Sequence, residues 1–540
     1  QFWEGGKVIS YLKKVLASQN KVEKDVIRLV KTNGRIKLKA YSRKTKLQLN
    51  KMTNTTSDTI NNMVLNGTYL FSDYTYKKLI DRKVKEYWKQ SKPFSQMEEN
   101  DEIKTFLDNL IIYDNSNDET IKLTERQKHD TNLLLQKRYG FLQWEQGSGK
   151  TLSGIAQMLY RFHKKEIKNA FVVSTAISIN NNWDVVLKNY GIDYVRITKL
   201  SDIENIKDGQ IIIVTDKLLC KYQKQIKKFV KMKSQKIMLV FDESDCITNP
   251  SSKRTKGILN CFRKAKYKIC MTGTSTRNNI CEIYPQLELL YNNSINMLCE
   301  SAEKYVISKD DFNKGELVAE ANDMYMLPFP PYKRGYKLFS ECHLPDKITV
   351  FGVAQKTQDI YNSEELKRIL DKTVITRSFE EISGKELYEI KQITCRFSPE
   401  EKEIYKTAID EFYKLDYLFK KTGNSRKDSM LKILNQLLLL LKICAAPQTI
   451  KEYRGNKITN KFKKVLNLIN KYDERIVIGV RHIQNVYAYK EVIQECFPSR
   501  PIFIVTGAET TLNQRKEVIN QLKETANGIL ICTQQSLSCS

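Results

Sequence analysis

A glycine-rich loop that ends in Gly-Lys-Thr is the part of this 540-residue chain with the clearest chemistry. The loop comprises Gln146, Gly147, Ser148, Gly149, Lys150 and Thr151. Its glycines let backbone N–H groups approach phosphate oxygens, its lysine reaches the β- and γ-phosphates, and its threonine hydroxyl is placed to bind Mg²⁺. Apolar residues precede the loop and a helical apolar pattern follows it, which is the strand–loop–helix context that this motif requires. The loop therefore predicts an ATP site in which Lys150 is catalytic.

Two adjacent carboxylates, Asp242 and Glu243, follow the apolar run 237–241, which places them at the end of a predicted strand. Phosphoryl transfer to water needs a carboxylate in the Mg²⁺ shell and a group that orients the attacking water. We predict that Asp242 binds the metal and that Glu243 orients the water. The alternative interpretation is a pair of surface acids at a strand end.

Two weaker signals flank this pair. Thr272, Gly273 and Thr274 close the next apolar strand, where small hydroxyl residues can sense the nucleotide state through hydrogen bonds to the carboxylates. Gln127 lies before the phosphate loop, and its side-chain amide could hydrogen-bond the edge of adenine. We therefore predict a coupling role for the threonine motif and an ATP contact for Gln127.

These residues must be positioned by a regular framework. From residue 123 onward, short apolar segments alternate with helical stretches. The apolar segments are 170–175, 210–215, 236–244, 267–274, 475–480, 501–507 and 528–533. Continuous apolar strands between helices predict parallel sheets covered on both faces. Functional residues are then expected at the carboxyl ends of the strands.

Composition gives broader limits. The net charge of +28 implies a polyanionic partner, although a Lys-rich protein from an AT-rich genome is the alternative. The first fifty residues hold thirteen Lys or Arg against three acids, and segment 35–40 alternates like a strand with one basic face. The twelve cysteines are scattered, so we expect reduced thiols in an intracellular, cytoplasmic protein. No segment is long and apolar enough to predict a membrane span.

The ordered motifs resemble those of the Swi/Snf-type ATPases of helicase superfamily 2. Segment 242–290 is the most specific, because it resembles the extended carboxylate box of that family and continues without a gap into its threonine motif. Four further segments resemble family motifs in the same order: 172–183, which ends in Asn-Trp, 369–382, 440–447 and 506–522. The resemblance covers roughly residues 120–540.

The resemblance implies an α/β fold with two RecA-like parallel-sheet lobes of the P-loop NTPase type. The sequence itself predicts a helical insertion between the two lobes and a basic, mainly helical N-terminal module before them. The expected domains are the basic module at 1–115, lobe 1 at 120–295, the helical insertion and linker at 296–455, and lobe 2 at 456–540.

The implied activity is that of an ATP-dependent translocase that uses ATP and Mg²⁺ to move on duplex DNA and remodel protein–DNA complexes. Four hydroxyl residues at strand ends, Ser174, Thr175, Thr215 and Thr533, would contact the nucleic-acid backbone, although such residues are often helix caps. One alternative is a restriction- or viral-type superfamily 2 helicase that serves a nuclease, a methylase or a transcription complex. Another is a nucleic-acid-binding scaffold that does not hydrolyse ATP.

Some residues depart from the family pattern. The family usually has Asp/Glu-Met-Gly-Leu-Gly before the Lys-Thr of the loop, whereas this chain has Glu145-Gln146-Gly147-Ser148-Gly149. Asp245 replaces a His and Ser275 replaces a Pro. These departures leave the metal and phosphate chemistry intact but affect the expected coupling between ATP and DNA. Both ends of the chain look cut, and protein cargo or fused domains are expected beyond them, in a bacterial or phage-infected cell. The family's arginine finger would follow residue 540, so we expect ATP binding with poor hydrolysis. Arg515 is a candidate substitute, although its motif favours a structural or DNA role.

Overall fold

The computed structural model describes residues 27–32, 35–40, 90–291, 301–310, 315–322, 335–348, 354–384, 389–422, 426–507 and 510–537. The chain divides into two compact units. The first unit contains residues 1–349 and 353–387, and the second contains 350–352 and 388–540. Most of the predicted basic N-terminal module lies outside the described residues. The strand predicted at 35–40 is confirmed.

The strands are numbered in chain order. In the first unit they are β1 (Ile27–Thr32), β2 (Arg35–Ala40), β3 (Ile112–Asp114), β4 (Glu119–Ile121), β5 (Tyr139–Trp144), β6 (Asn169–Ser174), β7 (Tyr194–Arg196), β8 (Ile211–Thr215), β9 (Ile237–Asp242), β10 (Tyr267–Met271), β11 (Glu303–Ile307), β12 (Leu317–Ala321), β13 (Asp346–Ile348), β14 (Ala354–Lys356) and β15 (Val374–Arg377). In the second unit they are β16 (Ile476–Val480), β17 (Ile502–Val505) and β18 (Ile529–Thr533).

Helices connect these strands. The α-helices of the first unit are Asp101–Asn109, Glu125–Leu135, Lys150–His163, Ala176–Ser178, Asp184–Asn189, Leu200–Glu204, Asp216–Lys221, Gln223–Lys233, Lys253–Phe262, Tyr284–Tyr291, Tyr336–His343, Ser363–Asp371 and Phe379–Ser383. Those of the second unit are Pro399–Thr422, Arg426–Ala445, Asn460–Lys471, Ile483–Cys496, Leu512–Glu524 and Gln534–Leu537.

The first unit is built on a seven-stranded sheet in the order β15-β5-β10-β9-β6-β8-β7. Every neighbouring pair in this sheet is parallel. The strands alternate between two cores: Phe171 and Val173 of β6 pack into one, and Ala170 and Val172 pack into the other. Both faces of the sheet are therefore covered, which explains why its strands are continuously apolar.

The second unit contains a parallel sheet in the order β16-β18-β17. Alternate residues of β18 again pack on opposite faces, with Ile529 and Ile531 in one cluster and Leu530 and Cys532 in the other. The two predicted series of α/β strands are thus confirmed. Each sheet gathers the carboxyl ends of its strands at one edge.

The segment predicted as a helical insertion, 296–455, also contains strands. β11 pairs with β12 and β13 pairs with β14 as antiparallel hairpins. β15 joins the large sheet beside β5, with Arg377 opposite Trp144. β15 is therefore part of the framework of the first unit, because it extends the large sheet, whereas the long helix Pro399–Thr422 belongs to the second unit.

Candidate active site

The phosphate loop connects β5 to the helix Lys150–His163. Its two glycines have left-handed backbone conformations, with φ of 80° at Gly147 and 78° at Gly149. A Cβ on Gly149 would lie 2.4 Å from Nε2 of Gln127, so glycine is required there for space as well as for conformation. The buried hydroxyl of Ser148 has no hydrogen-bond partner among the described residues. An unpartnered donor inside the loop is consistent with a site for phosphate oxygens.

Lys150 is folded back onto its own loop. Its Nζ donates to the carbonyl oxygens of Trp144 at 2.9 Å and Glu145 at 3.0 Å. Burial lowers the pKa of Lys150, while the nearby carboxylates, Asp242 first among them, act in the opposite direction. The ammonium group is thus held beside the loop by two neutral carbonyls. These are contacts that the oxygens of a nucleotide phosphate can replace.

Asp242 ends β9 and is almost fully buried. Three side chains donate to its Oδ2: the hydroxyl of Ser174 at 3.3 Å, the hydroxyl of Ser178 at 2.7 Å and the indole Nε1 of Trp183 at 2.9 Å. This set of donors fixes the orientation of the carboxylate. The side chain of Ser174 is fully buried and is therefore not available for the predicted nucleic-acid contact.

Thr151 is the other predicted metal ligand. Its Oγ1 accepts a hydrogen bond from Nδ2 of Asn182 at 2.8 Å. Mg²⁺ typically binds one or two protein oxygens together with phosphates and water, and the Thr151 hydroxyl and the Asp242 carboxylate are donors of this kind. No cluster of three His, Cys, Asp or Glu residues that could hold a metal occurs among the described residues. The donor set therefore fits a magnesium ion shared with nucleotide phosphates.

Glu243 has a strained backbone and a perturbed carboxyl group. Its φ of 49° lies in the left-handed region, which costs a non-glycine residue roughly 1–3 kcal/mol. Burial raises the pKa of Glu243 to about 7, and the charges of Asp242 and Asp245 add to this effect. A carboxylate held in a strained conformation with a pKa near neutrality has the properties expected of a group that handles a proton.

The threonine motif lies against both other motifs. Thr272 donates from Oγ1 to Oδ1 of Asp245 at 3.3 Å. A Cβ on Gly273 would be in ordinary contact with Gln146 of the phosphate loop, 3.6 Å from its Cγ. The amide of Thr274 donates back to Oγ1 of Thr272 at 3.2 Å. The threonine motif therefore lies next to the phosphate loop and is hydrogen-bonded to the segment that follows β9.

The predicted adenine contact of Gln127 does not match its hydrogen bonds. Its Oε1 accepts from the amide of Thr124 at 2.9 Å, and its Nε2 donates to the carbonyl of Ser148 at 2.9 Å. It is the third residue of a capping box at the start of the helix Glu125–Leu135. Both ends of the amide are used inside the protein, so in this conformation Gln127 supports the loop and does not offer an edge to adenine.

The other strand-end hydroxyls also bond locally. Thr175 caps the helix Ala176–Ser178 and Thr215 caps the helix Asp216–Lys221, each accepting a backbone N–H. Thr533 is mostly buried and shares a hydrogen bond with the hydroxyl of Ser536. The capping alternative therefore describes Thr175 and Thr215. Thr533 lines a cavity of the second unit.

That cavity lies in the second unit and has a volume of about 750 Å³. Its cationic lining is formed by Lys442, Arg481 and Arg515, and His482 also faces it. Arg515 donates to the carbonyls of Thr510 at 3.1 Å and Ser536 at 3.2 Å, so part of its role is structural. A concave surface with several cations and no acid in its lining is suited to an anionic ligand.

An ion pair beneath the phosphate loop has no local signal in the sequence. Arg377 of β15 makes a bidentate contact with the fully buried Asp130, with two N···O distances of 3.0 Å. The indole of Trp144 donates to the same carboxylate at 3.2 Å. Two residues further on, Phe379 donates its amide to Oε2 of Glu145 at 2.7 Å. The segment that starts at β15 is therefore attached directly to the strand and the loop that bind nucleotide.

A parallel sheet with a phosphate loop after one strand and paired carboxylates after another defines the nucleotide-binding class of P-loop proteins. The sequence matches the SNF2-related domain over residues 95–449. This match extends over more than half of the chain, so the chain belongs to the SNF2-related family. The resemblance to Swi/Snf-type ATPases of helicase superfamily 2 is thereby confirmed.

Individual relatives are more distant. "ATP-dependent helicase brm" of Drosophila melanogaster is 25% identical over 220 residues, which cover 39% of this chain and 13% of the relative. "Chromatin structure-remodeling complex subunit snf21" of Schizosaccharomyces pombe is 24% identical over 226 residues, 39% of this chain and 18% of the relative. The chain thus spans less than a fifth of the length of these curated relatives.

Among solved structures, the Sulfolobus solfataricus SWI2/SNF2 ATPase core in complex with dsDNA is 19% identical to this chain. The likeness covers 78% of this chain and 80% of the other, with a TM-score of 0.38. Within the described part of this chain, no helix has the length and apolar character needed to cross a membrane.

Proposed function

We propose that this chain is the ATPase engine of a motor that hydrolyses ATP to move on duplex DNA and to remodel or displace DNA-bound proteins. One observation carries the proposal: the phosphate loop, the carboxylate box and the threonine motif meet at the carboxyl edge of one parallel sheet in a SNF2-related domain. The names of the relatives, a helicase and a subunit of a chromatin-remodelling complex, support a remodelling role.

The residues divide the hydrolytic work. The backbone of the loop cradles the phosphates, and Lys150 exchanges its two carbonyl partners for phosphate oxygens. Thr151 and Asp242 would hold Mg²⁺, which neutralises charge on the phosphates when it is bound. Glu243 accepts a hydrogen bond from the attacking water. Its pKa of about 7 allows it to be ionised at the pH of a cell and still take up a proton.

The nucleic-acid partner is inferred from charge. The chain carries a net charge of +28, and the basic cavity of the second unit offers Arg481 and Lys442 to a phosphate. Contacts of this kind bind the DNA backbone without reading its sequence. The affinity should therefore fall steeply with salt and vary little with DNA sequence.

The test compares the rate of ATP hydrolysis with duplex DNA, single-stranded DNA and RNA, at equal nucleotide concentration. We expect duplex DNA to stimulate most, and Lys150→Ala to remove the stimulated rate. A rate raised more by single strands would overturn the duplex translocase in favour of a strand-separating helicase. DNA binding that survives in a protein without any ATP binding would favour the scaffold.

Movement needs its own assay, because stimulated hydrolysis alone does not prove translocation. We expect ATP-dependent release of a third DNA strand from a triplex placed on an otherwise bare duplex. Lys150→Ala is the control, since it retains the fold and the basic cavity but loses the contact to the phosphates. Stimulated hydrolysis without strand release would contradict the translocation part of the proposal.

A further inference from the structure

We propose that Asn182 and Trp183 are positioning residues for the magnesium-binding pair, and that one short turn thereby holds both metal ligands in register. The inference rests on the proposed ATP site and deepens it. Asn182 orients the hydroxyl of Thr151, and Trp183 fixes the carboxylate of Asp242. Neither residue is needed to touch the nucleotide itself.

The backbone of this turn explains how two consecutive residues can do this. Ile179–Trp183 forms a π-helical turn between the helix Ala176–Ser178 and the helix Asp184–Asn189. Such turns are rare and are often found at functional sites. Here the turn directs Asn182 to the first turn of the helix Lys150–His163 and Trp183 to the end of β9. Two elements far apart in the chain are thus joined through adjacent side chains.

The hydrogen bonds leave the metal-facing atoms free. All three donors to Asp242, including the Trp183 indole, use Oδ2, so Oδ1 is the oxygen left for a metal. A threonine hydroxyl has two lone pairs, and Asn182 uses one of those on Thr151. The second lone pair can face the metal. Partners of this kind orient a ligand without replacing it.

Packing holds the indole in place. Trp183 is fully buried, and its ring packs against the helix that carries the phosphate loop. A Cβ on Gly154 would lie 3.3 Å from Cη2 of Trp183 and 3.3 Å from Sδ of Met271. The absence of a side chain at position 154 therefore lets the ring come close to the helix. A methyl group there would require the ring or the Met271 side chain to move by a few tenths of an ångström.

The experiment measures ADP affinity by calorimetry, once with Mg²⁺ and once with a chelator, and takes the ratio of the two dissociation constants. Removing a partner of a metal ligand typically lowers metal affinity about 10–100-fold. We expect Trp183→Phe and Asn182→Ala each to reduce the magnesium enhancement by about 10-fold or more. Their affinity without metal should stay within about 2-fold of the wild type, because the phosphate loop is intact.

The matched control is Tyr284→Phe. Tyr284 is also a fully buried aromatic residue with a buried hydrogen bond, but its hydroxyl accepts from the amide of Gly335. We expect it to lower the melting temperature and to leave the magnesium enhancement unchanged. If Trp183→Phe does not fold, Asn182→Ala provides the second test, since Asn182 is only half-buried and its removal takes away the partner of Thr151.

The outcomes separate the two levels of the proposal. A wild-type protein that binds no ADP under either condition would refute the ATP site itself. A wild type with a normal magnesium enhancement, together with an equal enhancement in Trp183→Phe or in Asn182→Ala, would refute only the positioning role. An equal loss in Tyr284→Phe would also refute it, because the effect would then follow from packing alone.

Discussion

Replacing Glu243 by glutamine should abolish ATP hydrolysis and also stabilise the first unit, with a gain that grows as the pH rises. Burial raises the pKa of Glu243 from the ordinary 4.5 to about 7, so the folded protein keeps a proton that the unfolded chain has lost. Stability therefore falls between these two pH values and stays low above about 7. At ~1.36 kcal/mol per pH unit the full effect is at most about 3 kcal/mol. Partial exposure of the side chain reduces it to about 2 kcal/mol. Glutamine is neutral at every pH, so the stability of the variant does not fall in this way as the pH rises.

The assay is urea unfolding followed by tryptophan fluorescence, because Trp144 and Trp183 are buried in the first unit. We expect Glu243→Gln to match the wild type near pH 4.5 and to be more stable near pH 8. Glu282→Gln is a control of opposite sign. Burial raises the pKa of Glu282, but its hydrogen bonds with Arg277 and Asn278 outweigh this and hold that pKa below its ordinary value. Glu282→Gln should thus be less stable than the wild type at neutral pH, and the difference should disappear in acid, where Glu282 of the wild type is protonated. A stability difference for Glu243→Gln that does not change with pH would refute the reasoning.

Three further predictions concern other parts of the site. Lys150→Ala should weaken binding of a fluorescent ATP analogue by at least about 10-fold without lowering the melting temperature, because its present partners are only two carbonyls; unchanged affinity would contradict its role. Asp130→Asn should destabilise the first unit by roughly 3 kcal/mol in thermal unfolding, since it leaves the Arg377 guanidinium without its buried counter-charge; a loss below about 1 kcal/mol would mean that the pair contributes little. Arg481→Ala should weaken duplex DNA binding and reduce the slope of log affinity against log salt by about 1. Lys523→Ala, which lies outside the cavity, should change the affinity and the slope less. Equal effects of the two variants would mean that DNA responds to the overall positive charge and not to the cavity.

The strands and the phosphate loop could be predicted because their signals are local. Each strand of the large sheet is a short apolar run, and the glycines of the loop must adopt a left-handed conformation that few other residues tolerate. The same locality explains the position of Asp242, the last residue of β9, and of Glu243, the next residue in the chain. Where the residues next to one another in the chain determine a structural feature, that feature can be predicted from the sequence.

Contacts between distant segments could not be predicted in this way. Asp130 and Arg377 are 247 residues apart, and only the pairing of β15 with β5 brings them together. A competition between partners is equally invisible in the sequence. Thr215 carries the hydroxyl expected at a DNA-facing strand end. In the structure this hydroxyl accepts a hydrogen bond from the backbone N–H of Leu218, in the first turn of the next helix. Sequence identifies which groups can bond, and the fold decides which partner each group reaches.

The departure at Asp245 shows how the fold can preserve a connection with different chemistry. The Swi/Snf-type pattern has His at this position, and its replacement bears on the expected coupling between ATP and DNA. Asp245 is almost fully buried, and an unpaired buried carboxylate is strongly unfavourable. Nε of Arg277 donates to its Oδ2 at 2.9 Å, and Thr272 donates to its Oδ1. The segments that follow β9 and β10 are thus joined by an ion pair together with a hydrogen bond from the Thr272 hydroxyl. Separating them would leave a buried carboxylate without its partners, which is unfavourable, so Asp245 keeps the two motifs connected without the histidine.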